Sequence, residues 1–237
     1  MKKAVDVSKA GWAEESLNLR RRMVQRLVDS GHVRNEYTRQ ALLAVPRELF
    51  VDAPLKKVYS DTPLPIGSAQ TVSAPHMVAM YTDNLNLKRG MVVLEIGTGS
   101  GYHAAVTACA LKSLGGGVVH TVEIDRTLYE EARRNIERSC PPEMVFTHLG
   151  DGLSGLKEFA PFDAAYITAA VYEKPFEILN EVKEGGVVLY PFGLPNTVQS
   201  LIKAVRTGGG WAEEKIVDCL FVPVRRPWEG LPGFAPN

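Results

Sequence analysis

A chain of 237 residues is long enough for one α/β domain with a full hydrophobic core and short for two independent ones. Hydrophobic residues make up 45% and charged residues 23%, which argues against both disorder and a fibrous architecture. Lys plus Arg equals Asp plus Glu at 27 each, so no global field favours a phosphate backbone or an anionic membrane, and nucleic acid is not an expected partner.

Met1-Lys2-Lys3 is basic, but Asp6, Lys9, Glu14 and Glu15 interrupt the stretch from Ala4 to Leu19, so no secretory core follows. No run approaches the length of a membrane span. Cys109, Cys140 and Cys219 are odd in number and widely spaced, which fits thiols in a reducing compartment. A cytoplasmic protein is the expectation. From Ala13 to Val28, Leu17, Leu19, Met23, Leu27 and Val28 recur at roughly helical spacing, and Arg20, Arg21 and Arg22 read as the solvated face. A second helix is predicted over Glu36 to Val45, ending before Pro46 because the residue before proline disfavours the α region. Residues 52 to 75 carry Pro54, Pro63, Pro65, Gly67 and Pro75 and read as one ordered loop, neither strand nor helix.

From residue 91 strands alternate with helices. Val92 to Ile96 suits a buried parallel strand, followed by glycines and a helix over Tyr102 to Leu111. Val118 to Glu123 is the second strand, and Thr127-Leu128-Tyr129-Glu130 reads as a capping box opening a helix with Leu128, Ala132 and Ile136 inward. Further strands are expected at Val145 to His148, Ala164 to Thr168 and Val187 to Tyr190, with a helix near Pro175 to Val182 and a turn at Gly185-Gly186. Val198 to Val205 and Lys215 to Val222 complete the pattern as an antiparallel hairpin about Gly208-Gly209-Gly210. The fold class is therefore α/β: a doubly wound, Rossmann-like sheet, mostly parallel, behind N-terminal helices.

In such a sheet a ligand sits beyond the carboxyl ends of the strands where strand order reverses. The turn there is Glu95-Ile96-Gly97-Thr98-Gly99-Ser100-Gly101-Tyr102, in which Gly97, Gly99 and Gly101 allow a tight turn and close approach to a ligand. The third glycine of a dinucleotide fingerprint is missing, since Tyr102 stands there, whereas E-x-G-x-G-x-G matches binders of S-adenosyl-L-methionine. Glu95 can accept from the loop amides or approach the cofactor's ammonium group. Glu123 lies 22 residues after Gly101, close to the offset at which a carboxylate meets ribose hydroxyls, although Asp125 competes for the role. Asp151, with Gly152 beside it, can accept the adenine amine, or Asp151-Gly152 can be a plain turn. His32, His103, His120 and His148 show no ligand-like spacing, so no metal is predicted.

Ala44-Val45-Pro46-Arg47-Glu48-Leu49-Phe50-Val51, Leu64-Pro65-Ile66-Gly67, Gln70-Thr71-Val72-Ser73-Ala74-Pro75-His76-Met77, Leu94 to Tyr102, Gly150-Asp151-Gly152 and Thr168-Ala169-Ala170 occur in the order found in protein-L-isoaspartate (D-aspartate) O-methyltransferases. The chain resembles that family from about residue 20 to about residue 223. The resemblance implies a single class I methyltransferase domain over 1–237, with 1–85 supplying N-terminal helices and a covering loop and 86–237 the core and hairpin. It implies methyl transfer from S-adenosyl-L-methionine, leaving S-adenosyl-L-homocysteine, to the free carboxylate of L-isoaspartyl and D-aspartyl residues in damaged proteins, by a monomer.

The resemblance makes Ser73 the active-site residue, over the cofactor with Thr71 and Val72. It adds His76 and Ile124 to the cofactor contacts formed by Glu95, Gly97, Thr98, Gly99, Gly101, Glu123, Asp151 and Gly152, and it places Ser73, Thr168, Ala169 and Val224 beside the acceptor. Without it, Ser73 reads as a helix N-cap before Pro75 and His76 as a helix residue facing the pocket wall. The chain departs from the family pattern at Arg225-Arg226-Pro227-Trp228, Tyr172 and Leu153, on the acceptor side. A different acceptor, or a non-catalytic module that only binds S-adenosyl-L-methionine, are the alternatives.

Overall fold

The computed structural model describes residues 7–139 and 141–225, with side chains described from residue 13. Cys140, Arg226, Pro227 and Trp228 lie outside them. The N-terminal layer comprises α1 (Val7–Asp29), α2 (Glu36–Ala44), α3 (Leu55–Val58), the hairpin β1 (Leu64–Gly67) and β2 (Gln70–Val72), and α4 (Pro75–Asn84). The alternating region follows as β3 (Met91–Ile96), α5 (Tyr102–Ser113), β4 (Gly117–Glu123), α6 (Arg126–Glu137), β5 (Val145–Leu149), β6 (Phe162–Ile167), α7 (Phe176–Asn180) and β7 (Val182–Phe192). β8 (Gln199–Thr207) and β9 (Gly210–Cys219) end it.

The large sheet runs β5-β4-β3-β6-β7-β8-β9. The first five strands are parallel, and β8 and β9 are antiparallel additions at one edge. The chain moves outward from β3 to β5 and then returns to β6 on the other side, so strand order reverses between β3 and β6. Val93, Val119, Ala164, Tyr166 and Leu189 pack on one face under α2, α4, α5 and α6, and Leu94, Ile96, Val122, Ala165 and Val188 pack on the other with α7. Successive residues of a strand point to opposite faces, which is why one continuous apolar run serves two layers.

Several local expectations need correction. The segment 52–75 is not a plain loop, since it holds the helical turn α3 and the β1–β2 hairpin. Ser68 and Ala69 make its two-residue turn with φ of 49° and 55°, a conformation that Asn-Gly normally signals and Ser-Ala does not. The face of α1 is also different: Ser16, Arg20, Met23, Val24 and Leu27 are buried while Leu17 is exposed. Arg20 is therefore no solvated residue. Its guanidinium donates to Tyr59 Oη and Leu43 O, both at 3.0 Å, and pairs with Glu48, whereas Arg21 and Arg22 are exposed as expected.

The helix cap after β4 is Asp125, not Thr127: Asp125 Oδ1 accepts from the amides of Thr127 and Leu128 at 2.9 and 3.1 Å. The Gly185-Gly186 turn lies inside β7, where the register against β6 slips between Phe162 and Ala164, and the helix before it spans only Phe176–Asn180. Leu220, Phe221 and Val222 lie beyond β9, and the hairpin tip is Gly208-Gly209.

Candidate functional site

The reversal of strand order opens a crevice at the carboxyl ends of β3 and β6, where Thr168 N donates to Ile96 O at 2.9 Å. A cavity with an empty volume of about 850 Å³ lies there. Its walls come from Gln70 to Ser73, Val78, Ile96 to Ser100 with Tyr102 and His103, Val122 to Ile124, Asp151 to Leu153, Thr168-Ala169, and Val222 to Arg225. Mixed polarity and position match a small-molecule site.

The glycine loop is held from both sides. Gly97 N donates to Val122 O at 2.9 Å, and Thr168 Oγ1 donates to Gly97 O at 2.6 Å. A Cβ on Gly97 would lie 2.4 Å from Thr168 Oγ1, so this position tolerates only glycine. Gly99 has φ of 56° and donates its amide to Glu123 Oε2 at 2.8 Å. The other oxygen of Glu123 accepts from Asp125 N at 2.9 Å. Burial raises the Glu123 carboxyl above its usual range, against these amides, which favour the charged form. Thr98 Oγ1 lies 2.6 Å from Thr121 Oγ1 behind the loop.

Asp151 faces the cavity and also serves its own turn, accepting from Leu153 N at 3.0 Å and Ser154 Oγ at 3.2 Å. The turn and the ligand-facing reading therefore coexist. Thr71, Val72, Ser73, Gly152, Ile124, Thr168, Ala169 and Val224 all line the cavity. Ser73 does not cap a helix: the N-cap of α4 is Ala74, without a side-chain bond. The Ser73 backbone is fixed instead by Arg47, whose guanidinium is fully buried and donates to Ser73 O at 2.9 Å and Val58 O at 3.1 Å while stacking on Tyr102. Ser73 itself stands on the cavity wall.

Three expected contacts fall elsewhere. Glu95 is fully buried beneath the loop and accepts from Thr121 Oγ1, and burial pushes its carboxyl up to about 8. It reaches neither the loop amides nor the cavity, because it is in register with Thr121, two residues short of the strand end where Glu123 meets the loop. His76 also lies off the cavity. Its amide and Nδ1 both meet Asp61 Oδ1 at 2.9 Å, and its ring packs on His32. Gly101 is the N-cap of α5 with φ of 88°, and a Cβ there would meet Ile136 at 2.9 Å, so it serves packing against α6.

Ser100, Tyr102 and His103 line the cavity without having been singled out for it, and Gln70 and Arg225 line it from segments that the resemblance had marked for the cofactor and acceptor sides. Tyr102 and His103 stand in the first turn of α5, so their place beside the loop follows from helix geometry. Burial holds His103 down at about 3, leaving a neutral imidazole whose Nε2 has no partner among the described residues. Arg225 crosses the mouth, pairing with Asp125 at 3.3 Å and donating to Ser68 O at the hairpin tip. Among the described residues no group of three or more His, Cys, Asp or Glu could hold a metal ion.

The family described as Protein-L-isoaspartate(D-aspartate) O-methyltransferase (PCMT) matches residues 18–227. A protein-L-isoaspartate O-methyltransferase of Hyperthermus butylicus is 45% identical over 220 residues, covering 90% of each chain. One of Methanothermobacter thermautotrophicus is 41% identical over 207 residues, covering 86% of this chain and 94% of its own. A solved protein-L-isoaspartate O-methyltransferase superposes with a TM-score of 0.79 at 31% identity, over 87% of this chain and 66% of that one, so the chain spans just under two thirds of that longer molecule. A Plasmodium falciparum structure in complex with S-adenosyl-L-homocysteine shares the fold at 23% identity, with a TM-score of 0.75 over 86% of this chain and 97% of its own.

Proposed function

Because the chain belongs to the protein-L-isoaspartate(D-aspartate) O-methyltransferase family, we propose that the cavity between β3 and β6 is its active site, with Ser73 beside the acceptor. The chain is an S-adenosyl-L-methionine-dependent methyltransferase acting on the free carboxylate of isoaspartyl residues in damaged proteins. The observation that carries the site assignment is that Thr71, Val72 and Ser73 stand in one cavity with the glycine loop, Glu123 and Asp151.

The residues present fit the cofactor. Glu123 offers carboxylate oxygens to ribose hydroxyls, Ile124, Asp151 and Gly152 form the wall for the adenine, and Gly97, Thr98 and Gly99 lie alongside. When bound, S-adenosyl-L-methionine supplies an electrophilic methyl group on a sulfonium. An isoaspartyl carboxylate is ionised at neutral pH, so no side chain has to remove a proton from it. The work left to the protein is positioning and exclusion of water. Ser73 Oγ donates to the acceptor carboxylate, and Arg47 holds the Ser73 backbone through its carbonyl. Thr168 and Ala169 present small side chains that let the acceptor backbone approach, with Val224 opposite. His103, being neutral, adds no positive charge near the sulfonium.

A single domain completes this reading, with 1–85 covering the core formed by 86–237. So does a cytoplasmic monomer acting on proteins and on neither nucleic acid nor membranes. It is supported by the equal counts of cationic and anionic residues and by the finding that no described helix is long and apolar enough to cross a membrane.

The test is a paired assay with an isoaspartyl peptide and its normal aspartyl counterpart. Base-labile methyl ester should form on the first only. Ser73→Ala should lower kcat with little change in cofactor affinity, and Glu123→Ala should weaken the cofactor by about 10- to 100-fold, the range for a hydrogen bond to a charged group. Equal methylation of the two peptides would sink the acceptor assignment.

A further inference from the structure

A second depression adjoins the cavity. Leu153 and Val224 line both, and the outer wall of the depression is formed by Tyr172, Lys174, Pro175 and Phe176 in and after the connection that leaves β6. Tyr172 is 41% exposed and Phe176 59%. Paired aromatic surface left in water beside a ligand cavity marks a place where something apolar docks. Lys174 is drawn towards Glu213 at 3.0 Å, and the depression presents the two aromatic rings with Glu173 and Glu177 beside them. Leu153 and Tyr172, both set apart in the sequence reading on the acceptor side, stand in this one depression although 19 residues apart in sequence.

The acceptor in the proposed function is a polypeptide, and only its carboxylate belongs beside Ser73. The rest of its chain has to leave through the open side. The adjoining depression offers its aromatic rings to the residue next to the reacting one.

The geometry points to the Tyr172–Phe176 depression as a specificity subsite that takes a bulky apolar side chain adjacent to the isoaspartyl residue of the acceptor. This rests on the acceptor being an isoaspartyl polypeptide. Burying an aromatic ring there should lower KM by roughly five- to tenfold, somewhat less than full burial of such a side chain would give, because the site stays partly open.

The experiment uses the full chain and three isoaspartyl peptides of equal length, with glycine on both sides of the isoaspartyl residue, phenylalanine on its N-terminal side, or phenylalanine on its C-terminal side. At least one phenylalanine peptide should show the lower KM with kcat within about twofold of the glycine peptide. Phe176→Ala and Tyr172→Ala should remove that advantage while leaving the glycine peptide's KM, the S-adenosyl-L-homocysteine affinity and the melting temperature unchanged. Equal KM for all three peptides would overturn the inference, as would variants that impair glycine and phenylalanine peptides alike. Failure of the unaltered chain to methylate any of the three would overturn the acceptor reading itself and the subsite with it.

Discussion

Glu95 and Glu123 are carboxylates on the same face of neighbouring parallel strands, and depth along the strands gives them different tasks, since Glu95 is in register with Thr121, two residues before Glu123. Glu123 faces the cavity and holds two backbone amides. Glu95 lies under the loop against Thr121, and Thr121 in turn meets Thr98, so it braces the loop through two hydroxyls. Its carboxyl, raised by burial to about 8 from an ordinary value of 4.5, is neutral at pH 7. Between those two values the folded chain holds a proton that the unfolded chain has released, so this group's contribution to stability falls as pH rises from about 4.5 to 8. Glu95→Gln carries no such proton. Its melting temperature relative to the unaltered chain should climb between pH 5 and pH 8.5, measured by calorimetry at several pH values. Parallel curves would mean that Glu95 is ionised in the fold.

Helix ends are where element-scale energetics departs from the sequence pattern. Thr127 and Glu130 have the spacing of a capping box, yet Asp125 captures both amides two and three residues on, because the chain turns out of β4 one residue before it. Asp125→Ala should therefore cost about 1 kcal/mol in urea unfolding, and Thr127→Ala should stay within about 0.5 kcal/mol. A larger loss for Thr127→Ala would reverse the assignment. The β1–β2 hairpin shows the same competition. Its turn residues are chemically ordinary, and its place is held from outside by Arg225 at Ser68 O and by Arg47 at Ser73 O.

At the scale of the molecule, the cavity is a surface that no single segment owns. Its walls come from stretches running from Gln70 to Arg225. Ligand binding therefore couples to global stability. S-adenosyl-L-homocysteine at a hundredfold excess over Kd should add about 2.7 kcal/mol, which is a rise of roughly 5–10 °C in Tm for a chain of this size. With Glu123→Ala at the same ligand concentration, a thirtyfold loss of affinity should shrink the rise to about 2–3 °C. An undiminished shift would remove Glu123 from the cofactor site.

The order of strands and helices from Met91 to Cys219, the glycine loop, and the inward stripe of Leu128, Ala132 and Ile136 were all legible in the sequence. Each is encoded locally, by a period of about two or 3.6 residues or by glycines at a turn. So was the family, through motif order. What the tertiary structure alone decided was which residues of those motifs meet the cavity. Gly97 and Gly99 line it while Gly101 packs on Ile136, His76 turns to Asp61, and Arg225 crosses the mouth to Asp125. Arg20 is buried because Glu48 and Tyr59, far along the chain, come to meet it. These outcomes depend on pairs of residues distant in sequence, and neither periodicity nor local turn chemistry carries information about such pairs.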